Sequence, residues 1–391
     1  MKKIYLDYNA TTPVREEVLE LMFDIYRGDA ANPSSIHFLG RQARKFVDEG
    51  RERVAAAIGA EPSEIVFTGG GTEADNMAIQ GTAFALREKG SHIITQATEH
   101  HAVLNTCEFL EKHGFRVTYL PVNREGLVDP AEVEKAIGPE TILITIMAAN
   151  NETGVIQPTE EIGDIARSRK VVFHTDAIQA LGKIPVSVKD LKADLLSLSA
   201  HKVYGPKGVG VLYIRKGTRL QPLAYGGHHE KGKRPGTENV AGIAGFGLAC
   251  ELAAQELVAS AARLSILRDR LCGQISETIS RVKLNGSPRL RLPNTLNLSF
   301  EFIEGEGILL GLEMEGIATA SGSACTSGTL APSHVLSAMG VPAALAQGSI
   351  RFSLGRANTV EDIDYTAKAL VPIIRRLRAL SPFSEDDKGV A

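Results

Sequence analysis

Apolar positions along this chain follow two rhythms. Short unbroken apolar runs at 65–68, 141–147, 171–175 and 195–198 read as buried strands, because a strand covered on both faces has no reason to alternate. Elsewhere apolar residues recur every three or four positions, at 16–26, 40–58 and 73–86, which predicts amphipathic helices. From about residue 62 to 215 the two rhythms alternate, as βαβ units with right-handed crossovers require. A long helical stretch then covers about 240–279. Strand-like runs return at 294–300 and 349–354, with helices over about 306–314, 333–339 and 360–380. The pattern predicts an α/β fold, with a large α/β domain followed by a smaller α+β domain.

The strand-like runs release polar residues at the same end. The run 171–175 leads into Asp176 and Gln179, 141–147 into Asn150, Asn151 and Glu152, and 65–68 into Gly69, Gly70, Gly71 and Thr72, while 195–198 ends on Ser199, Ala200, His201 and Lys202. In a parallel sheet ligands bind outside the carboxyl ends of the strands, so these residues describe one crevice, read here as a cofactor site. A lysine just past a buried strand suits Schiff-base chemistry, since burial favours the free amine that attacks a carbonyl. Lys202 is that candidate, and a surface lysine in a loop is the ordinary alternative. Gly71 and Thr72 at the head of a helix suit a phosphate. The dinucleotide alternative lacks its G-x-G-x-x-G pattern, and the Walker lysine is also missing. Asp176, just before residues 177–181, would be explained locally as a helix cap.

Composition narrows the function classes. With a formal net charge of −3 over 391 residues and no Lys/Arg run, the chain has no electrostatic footprint for nucleic acid or an anionic membrane. No apolar segment is expected to reach the ~18 residues that span a bilayer, and residues 1–6 do not read as a signal peptide, so the expected location is the cytoplasm. The four cysteines, Cys107, Cys250, Cys272 and Cys325, lack zinc spacing and fit free thiols in a reducing compartment. Three of them fall in helical patterns. Cys325 stands in "SGSACTSGTL", where small residues and glycines on both sides make a poor core segment and a mobile loop suited to a travelling nucleophile. A buried structural cysteine is the alternative.

The ordered set "TGGGTEADN", "ATEHHAV", "NNETGVIQP", "HTDAIQALGK", "SAHKVYGPKG", "RPGTENV", "SGSACTSG" and "SIRFSLGR" resembles the pyridoxal-phosphate-dependent cysteine desulfurases of the nitrogen-fixation and iron–sulfur-cluster-assembly type. The resemblance implies a fold-type-I transferase with a mainly parallel seven-stranded sheet. It implies a large domain over 15–258, and a small domain made of 1–14 and 259–391 that carries the Cys325 loop. It further implies an active site between the domains and a homodimer. By resemblance, pyridoxal 5'-phosphate is bound to Lys202, with Asp176 at the ring nitrogen, Gln179 at the phenolic oxygen, and His100 stacked on the ring and moving protons. Gly71, Thr72, Ser199, His201 and Thr237 of the partner subunit meet the phosphate.

The resemblance also implies that Asn151 and Arg351 bind the substrate carboxylate, Asn151 also touching the cofactor, and an arginine's planar fork suits that task. The implied reaction takes L-cysteine to L-alanine and leaves the sulfur on Cys325 as a persulfide. An iron–sulfur scaffold protein or other acceptor then collects it. The protein alone is expected to bind no metal, and a cluster held by a partner is the one metal left open for Cys325. Two departures from the family pattern are Gly69 in place of serine and His228 in place of a third glycine. An aminotransferase or selenocysteine lyase would use Lys202 and Asp176 while leaving Cys325 idle. A scaffold that has lost its chemistry is the rival from another class.

Overall fold

A computed structural model describes residues 3–28, 31–321 and 332–381. Its strands are β1 (Ile4–Tyr5), β2 (Ile65–Thr68), β3 (His92–Gln96), β4 (Arg116–Leu120), β5 (Thr141–Thr145), β6 (Val172–Asp176), β7 (Leu195–Ser199), β8 (Gly210–Ile214), β9 (Val282–Leu284), β10 (Thr295–Phe300), β11 (Ile317–Ala318) and β12 (Ser349–Ser353). Its helices are α1 (Glu16–Arg27), α2 (Phe38–Ile58), α3 (Gly71–Leu86), α4 (His101–Glu111), α5 (Pro130–Ala136), α6 (Thr159–Arg169), α7 (Val240–Thr278), α8 (Gly305–Met314), α9 (His334–Ala338), α10 (Ala343–Gln347) and α11 (Val360–Leu380).

Seven strands form the main sheet in the order β2-β8-β7-β6-β5-β3-β4. Every residue of β3, β5 and β7 is buried, which is why those runs carry no alternation. The pairs from β4 across to β7 are parallel. The βαβ expectation fails at one edge, where β8 runs antiparallel to both β7 and β2. It also fails between β6 and β7, where residues 177–194 form turns in place of a helix. The chain nevertheless has the mixed α/β architecture with a mostly parallel seven-stranded sheet.

Two large apolar clusters organise the packing. One holds a face of the main sheet against α1, α2 and the first part of α7, through Val18, Val47, Val54, Phe173, Ile243 and Phe246. The other gathers Ile4 and Leu6 with Leu267, Leu271 and Ile275 of α7, Leu298 of β10, Phe352 of β12 and Leu370 of α11. The first residues join this second cluster because β1 pairs in parallel with β11. Helix α7, 39 residues long, therefore runs from one cluster to the other.

Against the expectation from sequence, α7 is long and apolar enough to meet the length and composition criterion for a bilayer span, with half of its most apolar window buried inside the protein. Alanine and aliphatic residues make the helix apolar, and its glycines let a neighbouring helix approach closely. A Cβ on Gly50 of α2 would lie 2.7 Å from the Ile243 carbonyl oxygen, and one on Gly247 2.6 Å from the Gly50 Cα. The obstacle is backbone and cannot turn aside. Gly247→Val is therefore expected to cost about 3 kcal/mol, the upper end for overpacking, read by denaturant unfolding. An unchanged midpoint would mean that α2 and α7 can part freely.

Candidate active site

At the carboxyl ends of the parallel strands a cavity of about 320 Å³ opens, within the roughly 300–1,000 Å³ of small-molecule sites. It is lined by Gly71, Thr72, His100, Asn151, Asp176, Gln179, Ser199, His201, Lys202 and Arg351, together with Asn9, Ala10, Asp75, Met147, Ala149 and Ile178. A larger cleft of about 830 Å³ at the other end of β5 and β6, edged by Arg167, Arg169 and Lys170, contains none of the expected site residues. Thr237 is exposed and does not line the cavity of its own chain. Cys325 lies outside the described residues.

Each side chain is held by the element that carries it. Lys202 ends the short 3₁₀ turn Ala200–Lys202 that follows β7. Its Nζ donates to the Asn9 carbonyl at 2.5 Å and the Ala10 carbonyl at 2.8 Å. Asp176 is the last residue of β6, and its Oδ1 accepts from the Ile178 N–H at 2.9 Å. No helix follows, so this carboxylate caps a turn. Burial raises its pKa to about 6, with the Ile178 N–H and the charge of Lys202 opposing.

His100 caps α4: its Nδ1 accepts from the Ala102 N–H at 3.1 Å, which assigns the proton of the neutral ring to Nε2. Burial, then the charge of Lys202, lowers His100 to about 4. His201, with Nδ1 3.2 Å from Thr11 Oγ1, is lowered to about 4 by the same two causes in the same order. Both rings are therefore neutral near pH 7.

Arg351, on β12, reaches into the cavity from the second cluster. It is 4 % exposed. Its Nη1 donates to the Asn151 carbonyl at 3.0 Å, its Nη2 pairs with Asp7 Oδ1 at 2.7 Å, and its buried Nε has no hydrogen-bond partner among the described residues. A ligand carboxylate would compete with Asp7 for this fork.

Sequence reasoning missed three contributors. Asn9 spans the site, its Nδ2 donating to the Asn151 carbonyl at 3.1 Å and to Thr295 Oγ1 at 2.9 Å; the polar "DYNATTP" after the first strand was its signal. Asp75 of α3 is fully buried, and His174 Nε2 stands 3.7 Å from its Oδ1. Burial, with the charge of Asp176 adding, raises its carboxyl well above the usual range. An acid among Ala74, Met77 and Ala78 was the available sign. Glu99 accepts from the Met147 N–H at 2.7 Å and is likewise raised well above the usual range, by burial first.

The donor set fits pyridoxal phosphate. Gly71 opens α3, where free N–H groups of a helix N-terminus receive a phosphate. A Cβ there would lie 2.2 Å from Ile178 Cδ1, so any larger residue would have to displace the Ile178 side chain. The Thr72 and Ser199 hydroxyls and the His201 imidazole line the same cavity as a lysine amine, a neutral imidazole and the Asp176 carboxyl. These are the groups that a phosphate, an aldehyde and a pyridine nitrogen call for. The other thiols are poor nucleophiles: Cys107 and Cys250 are buried and Cys272 half-buried, and burial raises the pKa of all three.

A mostly parallel sheet with a lysine, an aspartate and a glycine-led helix at its carboxyl edge defines a class of cofactor enzyme, and the chain belongs to the aminotransferase class-V family, whose pattern matches residues 4–366. It is 56% identical to the cysteine desulfurase IscS of Dictyoglomus turgidum, over 99% of this chain and 98% of that protein. Among solved structures, a NifS-like protein aligns with a TM-score of 0.91 at 41% identity, covering 96% of this chain and 100% of that one. SspA in complex with cysteine aligns at 0.80 with 40% identity, over 90% and 99% of the two chains.

Proposed function

We infer that this protein is a cysteine desulfurase that uses pyridoxal 5'-phosphate, converts L-cysteine to L-alanine, and passes the sulfur through Cys325 toward iron–sulfur cluster assembly. The observation that carries the reading is full-length likeness to a cysteine desulfurase, joined to one cavity lined by Lys202, Asp176, His100 and Arg351. The likeness to SspA, solved with cysteine, supports cysteine as the substrate.

When bound, pyridoxal phosphate supplies an electron sink that stabilises negative charge at the substrate's α-carbon. Gly71, Thr72, Ser199 and His201 would hold its phosphate, Asp176 its ring nitrogen, and Gln179 its phenolic oxygen. Lys202 would offer the amine that attaches the cofactor, and the same amine would be placed to take the substrate's α-proton. His100, neutral with its proton on Nε2, is suited to receive or return a proton. Arg351 binds the substrate carboxylate, with Asn151 beside it.

The Cys325 thiolate then attacks the substrate sulfur. One S–S bond forms, one C–S bond breaks, and the carbon that lost sulfur gains a proton. The sulfur is oxidised as that carbon is reduced, so no outside oxidant enters. The two apolar clusters and the β1–β11 pairing support a division into 15–258 and 1–14 with 259–391. The exposure of Thr237 is compatible with its serving a second copy of the chain.

The test is incubation of purified, cofactor-loaded protein with L-cysteine and a thiol. Alanine and sulfide are expected in equal amounts. A keto acid in place of alanine would favour an aminotransferase, and a colourless protein that takes up no cofactor would favour a scaffold. Arg351→Ala is expected to raise KM for cysteine by the equivalent of about 2–5 kcal/mol, the cost of leaving a buried carboxylate unpaired, with little change in cofactor absorbance. An unchanged KM would restrict Arg351 to holding Asp7.

A further inference from the structure

The guanidinium of Arg351 is already held by an acid of its own chain. Its Nη2 pairs with Asp7 Oδ1 at 2.7 Å, and among the described residues Asp7 is the one acid in ion-pair contact with it. The two partners are buried unequally: 5% of the Arg351 side chain is exposed, against 20% of the Asp7 side chain. Their backbones are fixed beside each other. Asp7 bridges Ser353 of β12, the strand that carries Arg351, while the Leu6 carbonyl accepts from the Ser353 N–H at 2.7 Å and the Asp7 carbonyl from Tyr5 Oη at 2.8 Å. The Asp7 side chain is therefore the part left to turn, and beyond Arg351 it has no hydrogen-bond partner among the described residues.

No neighbouring acid stands in for Asp7. Glu152, next to Asn151, accepts from Ser333 Oγ at 2.5 Å, and burial raises its pKa to about 7 with that hydrogen bond and the charge of Arg351 opposing. The other group that feels Arg351 is a cation: buried Lys183, whose amine donates to the Gln179 carbonyl and to Gln179 Oε1.

We propose that Asp7 is the resting counter-ion of Arg351 and sets the affinity for carboxylates: it neutralises the buried guanidinium while the site is empty, and turns toward solvent when the substrate carboxylate takes its place. The proposal rests on the reading of Arg351 as the substrate's carboxylate site. A buried guanidinium without any partner costs more than one paired with either acid, so a carboxylate stays on it throughout. Asp7 can leave because its side chain is already partly in water, where a charge needs no partner. The exchange fixes the sign. An incoming carboxylate must displace Asp7, so Asp7 weakens the binding of substrate and product alike. An Asp7 that merely held Arg351 in its rotamer would have the opposite effect, and its loss would weaken binding.

The test compares cofactor-loaded wild type with Asp7→Asn, which keeps the shape of the side chain without its charge. Each is titrated with L-alanine and with ethylamine, the same amine without the carboxylate, and binding is read from the visible absorbance of the cofactor. Asp7→Asn is expected to bind L-alanine about tenfold more tightly, the equivalent of one hydrogen bond to a charged group, and to bind ethylamine as the wild type does. Without cofactor, propionate should raise the unfolding midpoint of Asp7→Asn by more than that of the wild type. Should Asp7→Asn fail to fold, Asp7→Ser, smaller and equally neutral, is held to the same expectations.

L-Alanine bound by the variant as by the wild type, or more weakly, overturns the proposal, as does an equal gain for ethylamine. Arg351→Ala tells the two failures apart. If it leaves the affinity for L-alanine unchanged, the reading of Arg351 is wrong; if it weakens binding while Asp7→Asn brings no gain, the role given to Asp7 fails alone.

Discussion

Lys202→Ala is expected to abolish turnover and to remove the covalent, borohydride-reducible attachment of pyridoxal phosphate. The Lys202 amine lines the main cavity, whereas Lys183 does not line it and has its amine committed to Gln179. Loss of a positioned proton-transfer group alone costs about 10²–10⁴-fold, and loss of the covalent anchor adds to it. Gly71, Thr72, Ser199, His201 and Asp176 remain, so the cofactor should still bind without a bond to the protein. Mass spectrometry after borohydride treatment reads the bond, and alanine release reads the turnover. A variant that still carries cofactor on a lysine after reduction would move the assignment elsewhere.

Cys325→Ser is expected to separate the two halves of the reaction. Serine has nearly the volume of cysteine, but its hydroxyl stays protonated near neutral pH and cannot carry a persulfide. The groups assigned to cofactor and substrate binding are untouched. The variant should therefore take up pyridoxal phosphate and change its visible spectrum on addition of L-cysteine, yet release neither alanine nor sulfide at a useful rate. Cys107 and Cys250 cannot substitute, because both are buried, with thiol pKa values pushed up by that burial. In the wild type, brief exposure to L-cysteine should leave one extra labile sulfur on the Cys325 peptide. Alanine made by the serine variant at the wild-type rate would exclude the sulfur transfer described above.

Both predictions draw on features that differ in how far the sequence revealed them. The runs that became β2, β5, β6 and β7 were legible because burial on both faces leaves an unbroken apolar stretch in the sequence itself. Helix α11 was legible from end to end because its start is local: Thr359 and Asp362 form a capping box. That Lys202, Asp176, Gly71 and Thr72 share one cavity was legible because each lies at the end of such a run, and a parallel sheet brings those ends together.

Other features depended on which distant segments meet. The reversal of β8, the passage of α7 between two apolar clusters and the nearness of the Asp75 carboxyl to His174 leave no periodic trace. The pairing of Arg351 with Asp7 joins positions 344 apart in sequence, and the chain from Lys183 through Gln179 and Asn9 to Lys202 draws on separate segments. The sequence by itself determined the elements and the residue types at their ends, because periodicity and capping are properties of neighbouring residues. Only the tertiary structure decided the partners and charge states of the site, because a hydrogen bond or a desolvation penalty depends on what the folded chain brings within a few ångströms.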